Sequence, residues 1–352
     1  MDTESGFSYE KIICPATDRY PRNGEGDVVQ LSDGSLLLAY TEFYGGHGDF
    51  SHALIASKTS TDGGLSWRDH KVLQPNIGRV NVMSASIERL HSGELGLVFL
   101  VKNGEHDCKA YFRRSKDEGR TWSDPVCATP EEGYHVVNND RLVQLSSGRL
   151  LIPACSYPNG CGKDPKWANV FYSDDGGESW QLSDSRLAVE GSQSGMQEPG
   201  VAELPDGSLL MFMRCDLGYI YYSRSKDEGV TWTSPKPTSL VAPVSPCTLK
   251  RIPGTDDLLV IWNNRENHPA SEPFQRRTPL TAAVSEDGGE TWINVRDIEA
   301  DRSRTYCYTS ATFVGERVIL TYYVSEQKPE GERVLASLKL KILDLDWFYG
   351  GE

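Results

Sequence analysis

Hydrophobic residues in this chain come in short runs, paired across turns that carry Gly or Asp. Val28-Val29-Gln30-Leu31-Ser32-Asp33-Gly34-Ser35-Leu36-Leu37-Leu38-Ala39-Tyr40 shows the arrangement in full: apolar run, polar turn, apolar run. It returns around His91-Ser92-Gly93-Glu94, Ser146-Ser147-Gly148-Arg149, Pro205-Asp206-Gly207-Ser208, Pro253-Gly254-Thr255-Asp256 and Val314-Gly315-Glu316-Arg317. Runs of this length, rich in β-formers and bounded by turn residues, predict six hairpins. No long amphipathic helical pattern, low-complexity segment or linker interrupts them. One all-β domain over residues 1–352 is expected.

Downstream of the first five hairpins lies a second repeat, Ser-x-Asp-x-Gly-x-Ser/Thr-Trp. Its copies begin at Ser60, Ser115, Ser173, Ser225 and Ser285, giving steps of 55, 58, 52 and 60 residues. Each copy reads as a braced turn. The Asp carboxylate can accept backbone N–H groups within its own turn, the Gly permits positive φ, and the Trp is large enough to pack across neighbouring sheets. Five copies at near-even spacing mark an array in which each step is close to four strands.

These copies resemble the Asp-box repeats of the sialidase-type β-propellers, and the resemblance implies a six-bladed ring. It identifies a scaffold and not a chemistry, because such boxes also occur in non-enzymes. The sixth unit shows about three strands, Thr309 to Phe313, Arg317 to Val324 and Val334 to Leu343. Its missing fourth strand is expected to be Glu10-Lys11-Ile12-Ile13-Cys14 from the N-terminus, a pairing that closes the ring and removes exposed edges.

Composition narrows the partners. With 352 residues, 38% hydrophobic and 24% charged, the chain reads as soluble and globular. A formal charge of −14 argues against nucleic acid or an anionic membrane surface, so an anionic ligand needs a locally positive pocket. The eight Cys residues show no Cys-x-x-Cys pair and no ordered ladder, and read as buried reduced thiols. His47, His52 and His135 lack ligand spacing. The N-terminus carries no leader pattern, so the chain reads as cytoplasmic, or as secreted or periplasmic with a signal already removed.

In propellers the segments entering the innermost strands converge at one end of the channel, and here they are rich in Arg, Glu, Tyr and polar residues. The resemblance to exo-sialidases implies roles for several of them: three Arg on a substrate carboxylate, an Asp acid/base, and a Tyr nucleophile whose proton a Glu handles. Glu198 in Glu198-Pro199-Gly200, ahead of the fourth hairpin, matches the Glu, and Tyr308 in Tyr308-Thr309-Ser310-Ala311 matches the nucleophile, with Tyr306 as its competitor. Arg214, ending Leu209-Leu210-Met211-Phe212-Met213-Arg214, and Arg277, preceding the fifth box, match the second and third Arg. Asp49 in Gly48-Asp49-Phe50-Ser51-His52 matches the acid/base. Arg22 stands for the first Arg, with Arg19 and Arg276 as rivals.

These residue types suit a sialoside. Its carboxylate, on the anomeric carbon, repels an Asp or Glu nucleophile at close range, whereas a neutral Tyr hydroxyl paired with a Glu base avoids that. Arg binds a carboxylate in bidentate fashion, which Lys does not copy. No metal or organic cofactor is required.

Two departures from the family pattern bear on the substrate. The opening Arg-Ile-Pro is replaced by Tyr20-Pro21-Arg22-Asn23-Gly24-Glu25, with about two extra residues before the hairpin. Tyr44 stands where many sialidases place an Arg near the sugar C4, which leaves nine-carbon or eight-carbon ulosonic acids and uronic acids open. Asn138, in Asn138-Asn139-Asp140-Arg141, can hydrogen-bond sugar hydroxyls or form a turn. Glu25 and Asp27 are either partners of Arg22 or a second carboxylate.

The expectation is a retaining exo-glycosidase acting on a sialoside or another acidic glycan. A propeller lyase or hydrolase acting on uronic-acid glycans, and a non-catalytic carbohydrate-binding propeller, are the alternatives.

Overall fold

The computed structural model describes residues 6–162, 166–266, 277–326 and 335–351. Four of the six hairpin turns close in the same way, and the fifth closes across one more residue. Leu31 N–H donates to Ser35 O at 2.8 Å, and its counterparts Leu90, Leu145, Leu204 and Ile252 donate to Glu94, Arg149, Ser208 and Asp257 at 2.8–2.9 Å. Gly at φ 78–97° occupies each turn, a conformation a Cβ disfavours. The sixth is tighter, with Val314 directly opposite Arg317.

These hairpins nucleate six antiparallel units. The first comprises Arg22–Gln30, Leu36–Phe43, Ala53–Ser60 and Arg68–Gln74, and the second Asn81–Arg89, Leu95–Gly104, Asp107–Ser115 and Val126–Cys127. In the third, Tyr134–Val136 and Val143–Gln144 both pair with Leu150–Tyr157, followed by Trp167–Ser173 and Gln181–Leu182. The fourth comprises Gln197–Glu203, Leu209–Arg214, Tyr219–Ser225 and Lys236–Val241, and the fifth Thr248–Arg251, Leu258–Trp262, Leu280–Ser285 and Ile293–Glu299. The sixth holds Arg304–Val314, Arg317–Glu326 and Ala336–Asp344, and Ser8–Cys14 pairs antiparallel with the last of these, Tyr9 opposite Ile342. That is the chain-end pairing expected of Glu10–Cys14. The hairpin strand expected in the third unit is interrupted, because Asn138-Asn139-Asp140-Arg141 leaves the sheet and turns inward.

Hydrophobic packing joins successive units. Leu37 and Ala39 of the first cluster with Leu97 and Phe99 of the second. Leu100 and Phe112 of the second meet Ile152 and Phe171 of the third, and Leu151 of the third meets Met211 of the fourth. Phe212 of the fourth meets Val260 of the fifth, and Ile261 of the fifth meets Leu320 of the sixth. Leu340 and Ile319 of the sixth pack with Leu38 and Tyr40 of the first.

The Asp boxes reinforce these joints. In the first box, Ser60 Oγ donates to Asp62 Oδ1 (2.8 Å), Gly64 N–H donates to Ser60 Oγ (2.9 Å) and Ser66 N–H donates to Asp62 Oδ1 (2.9 Å). These bonds recur in the other four boxes. Ser and Thr hydroxyls and backbone N–H groups stabilise the carboxylates and hold Asp62, Asp117 and Asp175 down to about 2.

Each box turns its Gly and Trp onto the preceding unit. Trp180 meets Phe112 edge-on at 5.6 Å, and Trp292 meets Phe212 at 5.6 Å. The fifth box departs in one respect: the buried Trp292 indole N–H has no partner, whereas Trp67, Trp122, Trp180 and Trp232 each donate to their box Gly.

A Cβ on Gly177 would lie 2.1 Å from Phe112 Cε1, at φ 93°. Gly177→Ala is therefore expected to destabilise the fold by about 2–3 kcal/mol, read as a lower urea midpoint at unchanged slope. An unshifted midpoint would show that this joint yields freely.

Candidate active site

The innermost strands share a device that alternation of side chains does not announce. Register shifts interrupt them at Gly24/Asp27, Met83/Ser86, Gln197/Gly200 and Cys307/Ser310. Within each shift one non-glycine residue is left-handed: Glu25 (φ 47°), Ser84 (60°), Glu198 (47°) and Tyr308 (57°). A bulge re-aims a side chain, and strain of this kind collects where function requires a fixed direction. The four residues meet in two pairs. Ser84 Oγ donates to Glu25 Oε2 at 2.5 Å, and Tyr308 Oη donates to Glu198 Oε1 at 3.1 Å.

Arginines surround these acids. Arg214, 11% exposed, brings Nη1 within 2.8 Å of Glu198 Oε2, itself 6% exposed. Neither atom is aligned for a hydrogen bond, and Arg214 Nε is also unpartnered, although Nη2 donates to Gln197 Oε1 at 3.1 Å. Arg277 lies over the Tyr308 ring, 5.4 Å from its centre.

Arg22 is fully engaged. It donates from Nε to Tyr323 Oη (2.7 Å), from Nη2 to Glu25 Oε1 (2.6 Å) and from Nη1 to Asp49 Oδ1 (2.5 Å). The Tyr323 ring meets Tyr308 edge-on at 5.9 Å, joining both halves of the cluster. A Cβ on Gly24 would lie 2.0 Å from the Tyr323 ring, so only Gly allows that ring its place.

Environment sets the protonation tendencies. Burial pushes the Tyr308 hydroxyl up and the Glu198 charge adds to this, while Arg214 and Arg277 pull it back. Burial also raises the Glu25 carboxyl, against the opposing pull of Arg22 and the Ser84 hydroxyl. Asp49 is held below the usual carboxylate range, chiefly by Arg22, with Lys102 and Arg277 contributing. A chain of charge −14 thus gathers two guanidinium groups at the Tyr308–Glu198 pair and a third, Arg22, on the neighbouring Glu25 and Asp49.

Of the sequence candidates, Arg22, Asp49, Glu198, Arg214, Arg277 and Tyr308 fall in this one cluster. Arg19 is exposed over Tyr20, and Arg276 lies outside the described residues. Tyr306 is buried against Tyr322, in the core between the fifth and sixth units. Tyr44 is exposed and stacks on His52 at 6.0 Å, across the base of the loop that carries Asp49.

Asn138 is buried with Nδ2 unpartnered, and it is the adjacent Asn139 that donates to Tyr308 O at 3.1 Å. Glu25 is a partner of Arg22. Asp27 belongs to a deeper polar layer, where its Oδ2 accepts Ile87 N–H at 2.9 Å and Lys250 pairs with Asp140. Sequence reasoning missed Ser84, Tyr323 and Lys102. Ser84 and Tyr323 carry no motif, and Lys102 reads as an ordinary strand lysine. Among the described residues no group of His, Cys, Asp and Glu is arranged to hold a metal, and all eight cysteines are free.

Comparison with known proteins places the chain in a family. Residues 80–319 match the BNR repeat-like domain. A sialidase of Bacteroides fragilis (strain YCH46) is 25% identical over 344 residues, which cover 85% of this chain and 59% of that protein. The chain thus spans well under two thirds of that relative's length. Among solved structures, a protein of unknown function from Dyadobacter fermentans superposes with TM-score 0.76 at 17% identity, covering 97% of this chain and 99% of that one. The NanB sialidase of Streptococcus pneumoniae superposes with TM-score 0.74 at 15% identity, over 96% of this chain and 70% of its own. With its BNR match spanning residues 80–319, the chain belongs to the BNR repeat-like family within the sialidase superfamily.

Proposed function

We propose that this protein is a retaining exo-glycosidase that releases a terminal sialic acid or related acidic sugar, working at the centre of a closed six-bladed propeller. The observation that carries the reading is the Tyr308 hydroxyl donating to Glu198 at 3.1 Å beside Arg214 and Arg277. The ring is supported by the packing of the sixth unit on the first and by the pairing of Ser8–Cys14 with Ala336–Asp344.

Substrate binding places the sugar carboxylate against Arg214, whose Nε makes no hydrogen bond among the described residues, and Arg277, whose positive charge adds to the field. Tyr308 Oη attacks the anomeric carbon while Glu198 Oε1 takes its proton. The bond to the leaving oxygen breaks, and Asp49 supplies that oxygen with a proton. Water then adds to the anomeric carbon, giving a proton to Asp49. The bond to Tyr308 breaks, and Glu198 returns the proton to the phenolic oxygen.

Two inversions retain configuration. Incubation with aryl glycosides of several ulosonic and uronic acids, followed by NMR of the first-formed anomer, tests the reading. Retention on an ulosonic acid supports it. An unsaturated product absorbing in the ultraviolet would mean a lyase, and binding without turnover would mean a lectin.

Asp49 in the free protein occupies the Arg22 face that a ligand carboxylate would take. Ligand binding therefore releases Asp49 from its strongest counter-charge. The depressed carboxyl rises and becomes able to carry a proton. Because that affinity is low when free and higher when bound, binding between about pH 4 and 6 is expected to take up protons. Calorimetry of an N-acetylneuraminic acid analogue in buffers of different ionisation heat measures this. Proton release on binding would contradict it.

A further inference from the structure

Arg22 holds the Asp49 carboxylate in the free protein, whereas the Asp49 backbone is held by residues outside the carboxylate site. Asp49 belongs to the segment Tyr44-Gly45-Gly46-His47-Gly48-Asp49-Phe50-Ser51-His52, whose three glycines leave the backbone permissive. Internal bonds close only its base and one turn, from Tyr44 N–H to His52 O and from Ser51 N–H to Gly48 O, both 2.9 Å. A group that must meet a leaving oxygen within hydrogen-bond distance needs firmer fixing than that.

Arg22 adds a long bond to His47 O (3.4 Å), and the shorter bonds to the Asp49 backbone come from the second unit. Lys102 Nζ donates to the Asp49 carbonyl at 2.8 Å, and Asn81 Nδ2 donates to the same oxygen at 2.9 Å and to Ser51 O at 2.7 Å. Asn81 is fully buried and Lys102 is 2% exposed. A buried ammonium is costly unless paired, yet among the described residues no carboxylate forms an ion pair with Lys102. Its other neighbours are Met83 Sδ at 3.5 Å and the rings of Phe50 at 4.8 Å and Tyr134 at 5.7 Å. Phe50 follows Asp49 directly, so the ammonium fixes two adjacent loop residues. A cation kept at this cost, with its donor on one loop carbonyl, is explained by what that loop carries.

We infer that Lys102 and Asn81 are positioning residues for the acid/base, holding the Asp49 backbone so that its carboxyl reaches the leaving-group oxygen. Lys102 does this with a charge and Asn81 without one. The inference rests on the glycosidase reading for its consequence, and on hydrogen bonds alone for the anchoring. The charged and titratable groups around Asp49 are Arg22, Glu25, Arg277, Tyr134 and Lys102, with His47 and His52 on its own loop.

Lys102→Met and Asn81→Ala separate the two contributions. Amides of residues 45–52 are expected to exchange with solvent at least about tenfold faster in both variants than in the wild type. The methyl glycoside of N-acetylneuraminic acid needs its leaving oxygen protonated, and its kcat/KM should fall by about 100-fold. The 4-nitrophenyl glycoside leaves without help and should lose no more than about fivefold.

Only Lys102→Met should move the alkaline limb of the methyl-glycoside profile, and to higher pH, because removing the cation lets Asp49 keep its proton longer. Equal losses on both glycosides, or unchanged exchange of the loop, would overturn the inference. A wild type that turned over neither glycoside would count against the glycosidase reading, and loop exchange would then decide the anchoring by itself.

Discussion

Replacing Tyr308 with Phe is expected to lower kcat by at least about 10³-fold while leaving the affinity for a carboxylate-bearing sugar analogue within a few-fold of the wild type. The ring stays, so the edge-on contact with Tyr323 and the stacking under Arg277 persist; only the oxygen is lost. The nucleophile is then absent and Glu198 has no proton to take. The phenol is half-buried and pushed up, so it does not ionise at neutral pH unaided, and the base 3.1 Å away is what makes attack feasible. Burst and steady-state kinetics on an aryl sialoside, with the analogue's affinity measured separately, check both halves. A variant that kept its turnover would remove Tyr308 from the chemistry and leave the cluster a binding site.

The scaffold was legible because it is written in local chemistry. Asp-box spacing and Gly-bearing turns act within eight residues, so each can be read where it stands, and the same bonds recur in all five boxes. That four site residues sit left-handed in bulges was not legible, although Glu198 and Tyr308 themselves were. Glu25, Ser84, Glu198 and Tyr308 have no common type, and a register shift leaves no mark in a sequence of apolar and polar positions. The bulge at Gly24/Asp27 takes up one residue within the strand, as the matching bulges do in the other three strands that carry one.

Lys102 escaped notice for a different reason. Its role depends on a carbonyl fifty-three positions away, brought near by the packing of the second unit on the first. Glu25 was visible, but whether it served Arg22 or the substrate depended on a 2.6 Å contact that only the fold supplies.

Removing the charge of Arg214 by Arg214→Met should act on stability and turnover together, and the two effects can be pulled apart. Glu198 is buried, and Arg214 is the cation closest to it. Without that cation the carboxylate is left uncompensated, a situation that costs about 3–5 kcal/mol of folding free energy. Glu198→Gln in the same chain removes the charge that was stranded. Stability should therefore return in the double variant to within about 1 kcal/mol of the wild type, the signature of direct coupling.

Turnover should not return. The guanidinium also pulls the Tyr308 hydroxyl down and offers its Nε, free of hydrogen bonds among the described residues, to a ligand carboxylate, so kcat/KM is expected to fall by about 10³-fold or more in both variants. Urea denaturation of the wild type, the two single variants and the double variant gives the coupling energy, and kinetics on one aryl sialoside gives the activity. If the double variant stayed as unstable as Arg214→Met, the 2.8 Å approach would be mere proximity, and the carboxylate-binding role of Arg214 would have to rest on the kinetics alone.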